Sequence, residues 1–198
     1  MANDRLMLIG CGILKKEIRC LIEKNGWPLE TCFLDSALHI NFENLAGQLT
    51  ATLDRHRERD RIVFYGACHP LMDRLLEKGR AIRTPGQNCV DILLGHPLFM
   101  EELQKGAFFL MEDWARRWEE VVHLTIGHNL SLIRELYQGS HTHLLCIRTP
   151  CSGDFNQEAE EAGRLVGLPL QWRDVSLDHL EDVLLNTMAA ELREKERG

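Results

Sequence analysis

Three cysteines in this chain stand just past strand-like runs, each at a glycine-containing or polar bend. They are Cys11 in "LMLIGCGILKKEI", Cys68 in "RIVFYGACHPLMDRL" and Cys89 in "AIRTPGQNCVDILLG". In a parallel α/β sheet such bends lie along the carboxyl edge of the strands, where open sheets bind ligands. Thiols reaching that edge from three separate segments can converge on one point. Three thiolates suit a soft metal or an iron–sulfur cluster, with one coordination position left for chemistry. A cluster of the four-iron four-sulfur type fits that description.

The neighbours of each thiol add detail. Gly10 and Gly12 flank Cys11, so the backbone can turn tightly and admit a ligand closely. A helix expected directly after Cys11 would lower the thiol pKa through its amino-terminal dipole. Cys68 repeats the pattern: Gly66 precedes it, His69 follows, and Pro70 is expected to open a helix. His69 offers a ligand or a proton carrier. Asn88 is placed to cap a helix that starts with Cys89, and Asp91 falls in its first turn, where a negative charge suits the dipole. His39, in "SALHINFENL", sits at a strand-to-helix passage near the expected gathering point. The expected site is therefore Cys11, Cys68 and Cys89 as metal ligands, with Gly10, Gly12, His39, Gly66 and His69 lining the bound group.

No local motif binds these residues together. There is no C-x-x-C and no zinc-finger quartet, so the fold must assemble the site from distant points. Cys151, in "RTPCSGD", is a fourth candidate ligand. Cys20, Cys32 and Cys146 fall inside a helix or strands and read as core, where a free thiol packs as a small hydrophobe. Glu112 and Asp113 follow a strand. They read as acidic residues in a helix's first turn, with acid–base chemistry as the alternative. No G-x-G-x-x-G, P-loop or G-x-S-x-G is present, so nucleotide-binding and serine-hydrolase readings lose their usual support.

The elements that must position the thiols alternate along the chain. Strand-like runs are "RLMLIGC", "RIVFYGAC", "AFFLM", "THLLCIRTPC" and "LPLQWRDV", with "ETCFLDSALHI" partly extended. Amphipathic helical stretches separate them, among them "ILKKEIRCLIEKNG", closed by Gly26, and "CVDILLGHPLFMEELQKG". Strands alternating with helices predict an α/β fold with a parallel sheet and flanking helices. "RIVFYGACHPLMDRLLEKG" and "HLLCIRTPCSGDFNQEAEEAG" echo each other as strand, cysteine and helix. The echo suggests two related Rossmann-like lobes, residues 1–112 with the cysteine site and residues 113–198 with a helical connection, and an open coordination position in the cleft between them.

Bulk composition sets the outer limits. The 198 residues are 44% hydrophobic and 27% charged, an ordinary globular balance. A net charge of −7 with scattered Lys and Arg argues against a nucleic-acid partner. The opening "MANDRLMLIG" does not read as a secretory signal, and no stretch approaches the roughly 18–20 apolar residues of a membrane span. A cytoplasmic protein with reduced thiols is expected.

The chain resembles an uncharacterised domain-of-unknown-function family found mainly in anaerobes, whose members often lie near genes for corrinoid-dependent methyltransferases. The resemblance rests on "CGILKKEI", "LDSALHI", "YGACHPLMDRL", "NCVDILLG", "GAFFLMEDW" and "VSLDHLEDVLL", spread along nearly the whole chain. Cys11, Cys68 and Cys89 fall on that family's characteristic cysteines. His69 stands where the family usually has Gly, and Gln87-Asn88 where it often has His-Asp. The resemblance implies a thiolate-rich site and a link to methyl-transfer or corrinoid metabolism, with a small-molecule substrate or a corrinoid or methyltransferase protein as partner.

Three functions follow as expectations. The first is a protein holding a metal or iron–sulfur cluster on three thiolates, enzymatic or accessory in anaerobic one-carbon metabolism. The second is a metal-free thiol enzyme with Cys68 as nucleophile. The third is a non-catalytic module that binds a corrinoid or a partner protein. The D-x-H-x-x-G signature of base-off corrinoid binding is absent.

Overall fold

The computed structural model describes residues 6–197. It is an α/β protein with two parallel sheets, each flanked by helices. Contacts gather the described residues into two units. One runs to Gly95 and takes in the segment from Leu177 onward; the other is His96–Ser176.

The first unit is built on β1 (Leu6–Cys11), β2 (Leu29–Leu34), β3 (Arg61–Phe64) and β4 (Ile82–Arg83). They pair in parallel in the order β2-β1-β3-β4. Leu8, Ile9, Ile62, Val63 and Phe64 are buried, the near-continuous apolar run expected of strands covered on both faces. Gly10 lies opposite Phe64, and a β-carbon on Gly10 would sit 2.7 Å from that of Phe64. The missing side chain thus lets two central strands pack closely.

Helices α1 (Lys15–Asn25), α2 (Phe42–Arg55) and α3 (Met72–Gly79) connect these strands. Their buried residues recur at helical spacing: Ile18 and Leu21 on α1, Leu45, Leu49 and Leu53 on α2, Met72 and Leu76 on α3. Gly26 closes α1 in a left-handed conformation, as the sequence predicts. On α3 the left-handed position falls on Arg80 rather than Gly79, which is still helical. Gly79 instead makes room for the Leu53 side chain.

The long helix expected through "CVDILLGHPLFMEELQKG" is two helices. α4 (Cys89–Leu94) ends at Gly95, whose φ of 78° no helix can continue, and α5 (His96–Gln104) restarts with Pro97 in its first turn.

The second unit carries β5 (Ala107–Leu110), β6 (His143–Arg148) and β7 (Leu170–Asp174), parallel and in that order. Helices α6 (Glu112–Ala115), α7 (Trp118–Ile126) and α8 (Leu130–Ser140) lie between β5 and β6, and α9 (Asn156–Val166) between β6 and β7. Trp118, Val122, Ile133, Leu144, Cys146, Phe155 and Val166 are among its core residues. Cys146 is thus a core filler, as its position in a strand implies.

The unit boundaries differ from the expected division at residue 112. β5 pairs with β6, which places it in the second unit. The closing helix α10 (Asp178–Arg197) packs on α4, β3 and β4 and so belongs to the first. No helix among the described residues is long and apolar enough to cross a membrane.

Candidate functional site

In the first unit the strand order reverses at β1: the chain leaves β1 for β2 on one side and reaches β3 on the other. The carboxyl ends of β1 and β3 therefore form a topological switch point, the place where open α/β sheets bind ligands. Cys11 is the last residue of β1. Tyr65 follows β3 directly, and Cys68 lies three residues beyond it. Cys89 opens α4, which follows the short edge strand β4.

The three thiols lie within electrostatic reach of one another. Cys89 hydrogen-bonds to Cys11, and the charges of Cys11 and Cys68 both act on Cys89. Cys11 acts on Cys68 in the same way. Cys11 and Cys89 are buried, and Cys68 is half-buried. The bond to Cys11, burial and the neighbouring thiols hold Cys89 well above the usual thiol range. Burial and Cys11 push Cys68 up to about 11, against a hydrogen bond from the Gly66 backbone and the charge of Arg83.

At Cys68 that direction is the reverse of what a helix amino terminus would produce. The helix expected to open at Pro70 starts at Met72, after a turn at His69–Leu71, so the Cys68 thiol lies outside its first turn. Likewise a 3-10 turn, Gly12–Leu14, separates Cys11 from α1. With the helix ends displaced, desolvation and like charges outweigh the dipole at Cys68.

Two close approaches hold the loops in place. A β-carbon on Gly66 would fall 2.4 Å from the Gln87 carbonyl oxygen and 2.5 Å from the Asn88 nitrogen. The room that Gly66 leaves is therefore occupied by the Gln87–Asn88 peptide, which carries Cys89. Gly12 similarly leaves room for the Leu34 carbonyl at the end of β2, which would stand 2.9 Å from a β-carbon on Gly12. The β-carbon side of Gly10, Gly12 and Gly66 is occupied by neighbouring strands and loops of the protein.

The Cys89 loop is also pinned by its own side chains. Asn88 Oδ1 accepts from the N–H groups of Val90 and Asp91, at 2.9 and 3.0 Å. The buried Asp91 carboxylate accepts from Gln87 N–H at 2.7 Å. The arrangement departs from a capping box in that the Asp91 carboxylate reaches the N–H before the cap, that of Gln87, rather than that of Asn88 itself. Arg83 donates to Asp73 at 2.7 Å and to the Thr84 carbonyl at 3.2 Å, fixing the approach from β4.

The two histidines have other partners. His69 Nδ1 accepts from Leu71 N–H at 2.9 Å, and its ring stands edge-on to Phe42. His39 lies in a 3-10 turn, Leu38–Ile40, beyond β2. Burial lowers its pKa, opposed by a hydrogen bond to the Ser36 backbone. Both belong to segments at the carboxyl edge of the sheet.

One further residue lies outside the candidates read from the sequence. Tyr65 is only 1% exposed, and its hydroxyl has no hydrogen-bond partner among the described residues. Cys11, Cys89, Cys68 and then Asp35 act on it, and together with burial they raise its pKa far above the ordinary value. The signal that marks it is a polar aromatic placed between the last apolar residue of a buried strand and a glycine.

Cys151 lies in the second unit, in the turn between β6 and α9, where its N–H donates to Thr149 Oγ1 at 3.2 Å. Glu112 there accepts from Arg116 at 2.9 Å and from Gly153 N–H at 2.9 Å, which ties the ends of β5 and β6 together.

Three neighbouring thiols and a phenol can bind a soft metal, exchange with a disulfide, or bind a small polar ligand. Among the described residues no three His, Cys, Asp or Glu side chains already stand as a metal's ligand set. Cys68 and Cys89 lie near Cys11 as protonated thiols.

A family profile described as "Protein of unknown function (DUF1638)" matches residues 33–184. No curated protein and no solved structure matches the chain.

Proposed function

This chain belongs to the DUF1638 family of proteins of unknown function, and we propose that it holds a soft metal ion or an iron–sulfur cluster on Cys11, Cys68 and Cys89. The observation that supports the reading is that three thiols from three separate segments act on one another electrostatically near the switch point of a parallel sheet. Thiolates select soft metals and iron–sulfur clusters. Binding would exchange the Cys89–Cys11 hydrogen bond for metal–sulfur bonds and release the thiol protons.

A metal-free nucleophile is the weaker reading. The thiolate is the attacking form, and Cys68 is held up to about 11. A nearby cation reverses that balance, since a coordinating thiol is deprotonated outright.

A metal held by Cys11, Cys68 and Cys89 would supply Lewis-acid or electron-transfer chemistry. The half-buried Cys68 marks the side on which a small molecule can approach. The wider role, enzymatic or accessory in anaerobic one-carbon or corrinoid methyl-transfer metabolism, rests on the family resemblance. A corrinoid or methyltransferase protein is the partner it suggests.

The test is strictly anaerobic purification after iron supplementation, with metal and acid-labile sulfide measured beside Cys11→Ser, Cys68→Ser and Cys89→Ser. Iron with sulfide, lost in each variant, supports a cluster. A single metal without sulfide, lost in each variant, supports a mononuclear site. Metal-free protein in every sample, also after incubation with excess Co²⁺, overturns the reading.

A further inference from the structure

We infer that Tyr65 is a binding residue of the thiol site, its buried hydroxyl donating a hydrogen bond to a small anion held beside Cys11, Cys68 and Cys89. This deepens the metal-site reading and rests on it.

The inference starts from an unmet need. Tyr65 is 1% exposed, and its hydroxyl has no partner among the described residues. Buried hydroxyls are nearly always hydrogen-bonded, because an unpaired one loses its water without recompense. Phenylalanine would fill the same volume without that cost, as Phe64 does one residue earlier. The titratable groups near enough to act on the phenol are Cys11, Cys89, Cys68 and Asp35. Sulfur is a weak acceptor. The Asp35 carboxylate is exposed and accepts from Ala37 N–H at 2.7 Å.

The kind of partner follows from the donor. A phenol is protonated at neutral pH, so it offers a hydrogen and calls for an acceptor. A charged acceptor makes the stronger bond. Cys11, Cys89 and Tyr65 are all buried, and only Cys68 among the four is half-open, so a ligand reaching the hydroxyl would have to be small. A metal held by the thiols would bind such an anion at its remaining position, with the Tyr65 hydroxyl as second point of attachment.

The experiment uses the full chain loaded with Co²⁺, whose thiolate charge-transfer and ligand-field bands report both metal and added ligand. Azide is titrated into wild type and Tyr65→Phe, and the metal-free proteins are melted in parallel. Both proteins are expected to bind Co²⁺ equally, with the same charge-transfer bands. The azide Kd of Tyr65→Phe is expected to rise about tenfold or more, the loss of one charge-assisted hydrogen bond. Its metal-free form is expected to melt at the same temperature as wild type or higher.

Equal azide affinity in the two proteins would overturn the inference, and so would a wild type that binds Co²⁺ but no azide. Loss of Co²⁺ binding in Tyr65→Phe would make the phenol a ligand or a structural group. A lower melting temperature would mean the hydroxyl already has a partner in the fold. If wild type binds no Co²⁺, the metal-site reading itself falls, and that is seen before any azide is added.

Discussion

The thiol of Cys89 is hydrogen-bonded to Cys11, joining the first residue of α4 to the last residue of β1. Two segments far apart in the chain are thereby brought together by their sulfurs, with Cys68 and Tyr65 alongside.

Metal binding should release protons. Cys68 and Cys89 are held protonated near neutral pH, and metal coordination requires thiolates. Titration of Cd²⁺ into weakly buffered metal-free protein at pH 7 should liberate about two to three protons per metal bound. A pH-indicator dye reads the number, and Cys68→Ser, which should no longer hold the metal, should release few or none.

The metal-free protein should lose stability in alkali. Cys68 rises from an ordinary value of 9.0 to about 11 on folding, so the native state binds its proton more tightly than the unfolded chain does. The stabilising contribution is whole below pH 9 and is lost as pH climbs to 11. Two pKa units amount to roughly 3 kcal/mol by linkage. Denaturant midpoints measured between pH 8 and pH 11 should fall over that window, and fall less in Cys68→Ser.

Gly66→Ala should disturb the site through the backbone. Its β-carbon would meet the Gln87 carbonyl and the Asn88 nitrogen, and peptide groups cannot swing aside as a side chain can. A cost of about 1–3 kcal/mol is expected from such overpacking. Thermal melts check the loss, and weaker Co²⁺ binding would report the displaced Cys89 loop.

Asn88 should matter through the helix it caps. Asn88→Ala removes the acceptor for Val90 and Asp91 N–H, and should cost about 1 kcal/mol. Asn88→Asp should restore most of it. Urea unfolding of the three proteins compares them directly.

Glu112 in the second unit should prove structural. Its buried carboxylate accepts from Gly153 N–H and pairs with Arg116. Glu112→Ala leaves that N–H without its partner and should cost about 1–3 kcal/mol. Co²⁺ binding by the thiols of the first unit should be unchanged.

The legible features were those encoded locally. Alternating apolar runs and amphipathic stretches identified five of the seven strands and, for "ETCFLDSALHI", its partly extended start. β4 escaped because Ile82 and Arg83 make too short a run to show any period. Gly26 and Asn88 announced helix boundaries because a left-handed stop and a side-chain acceptor act on their own neighbours. Gly95 split an apparently continuous helix, and its φ of 78° is a backbone state that residue type permits but does not demand.

The sequence by itself determined that three cysteines would stand at strand ends of a parallel α/β protein, because strand periodicity and turn residues are read within a few positions. Only the tertiary structure decided that these cysteines come within electrostatic reach of one another, because strand order is set by non-local pairing. It also decided the direction of the Cys68 pKa, which depends on burial and on Cys11. It decided the role of Gly66, whose empty side is filled by a peptide from another loop. And it singled out Tyr65, since an unpartnered hydroxyl exists only once the chain has closed around it.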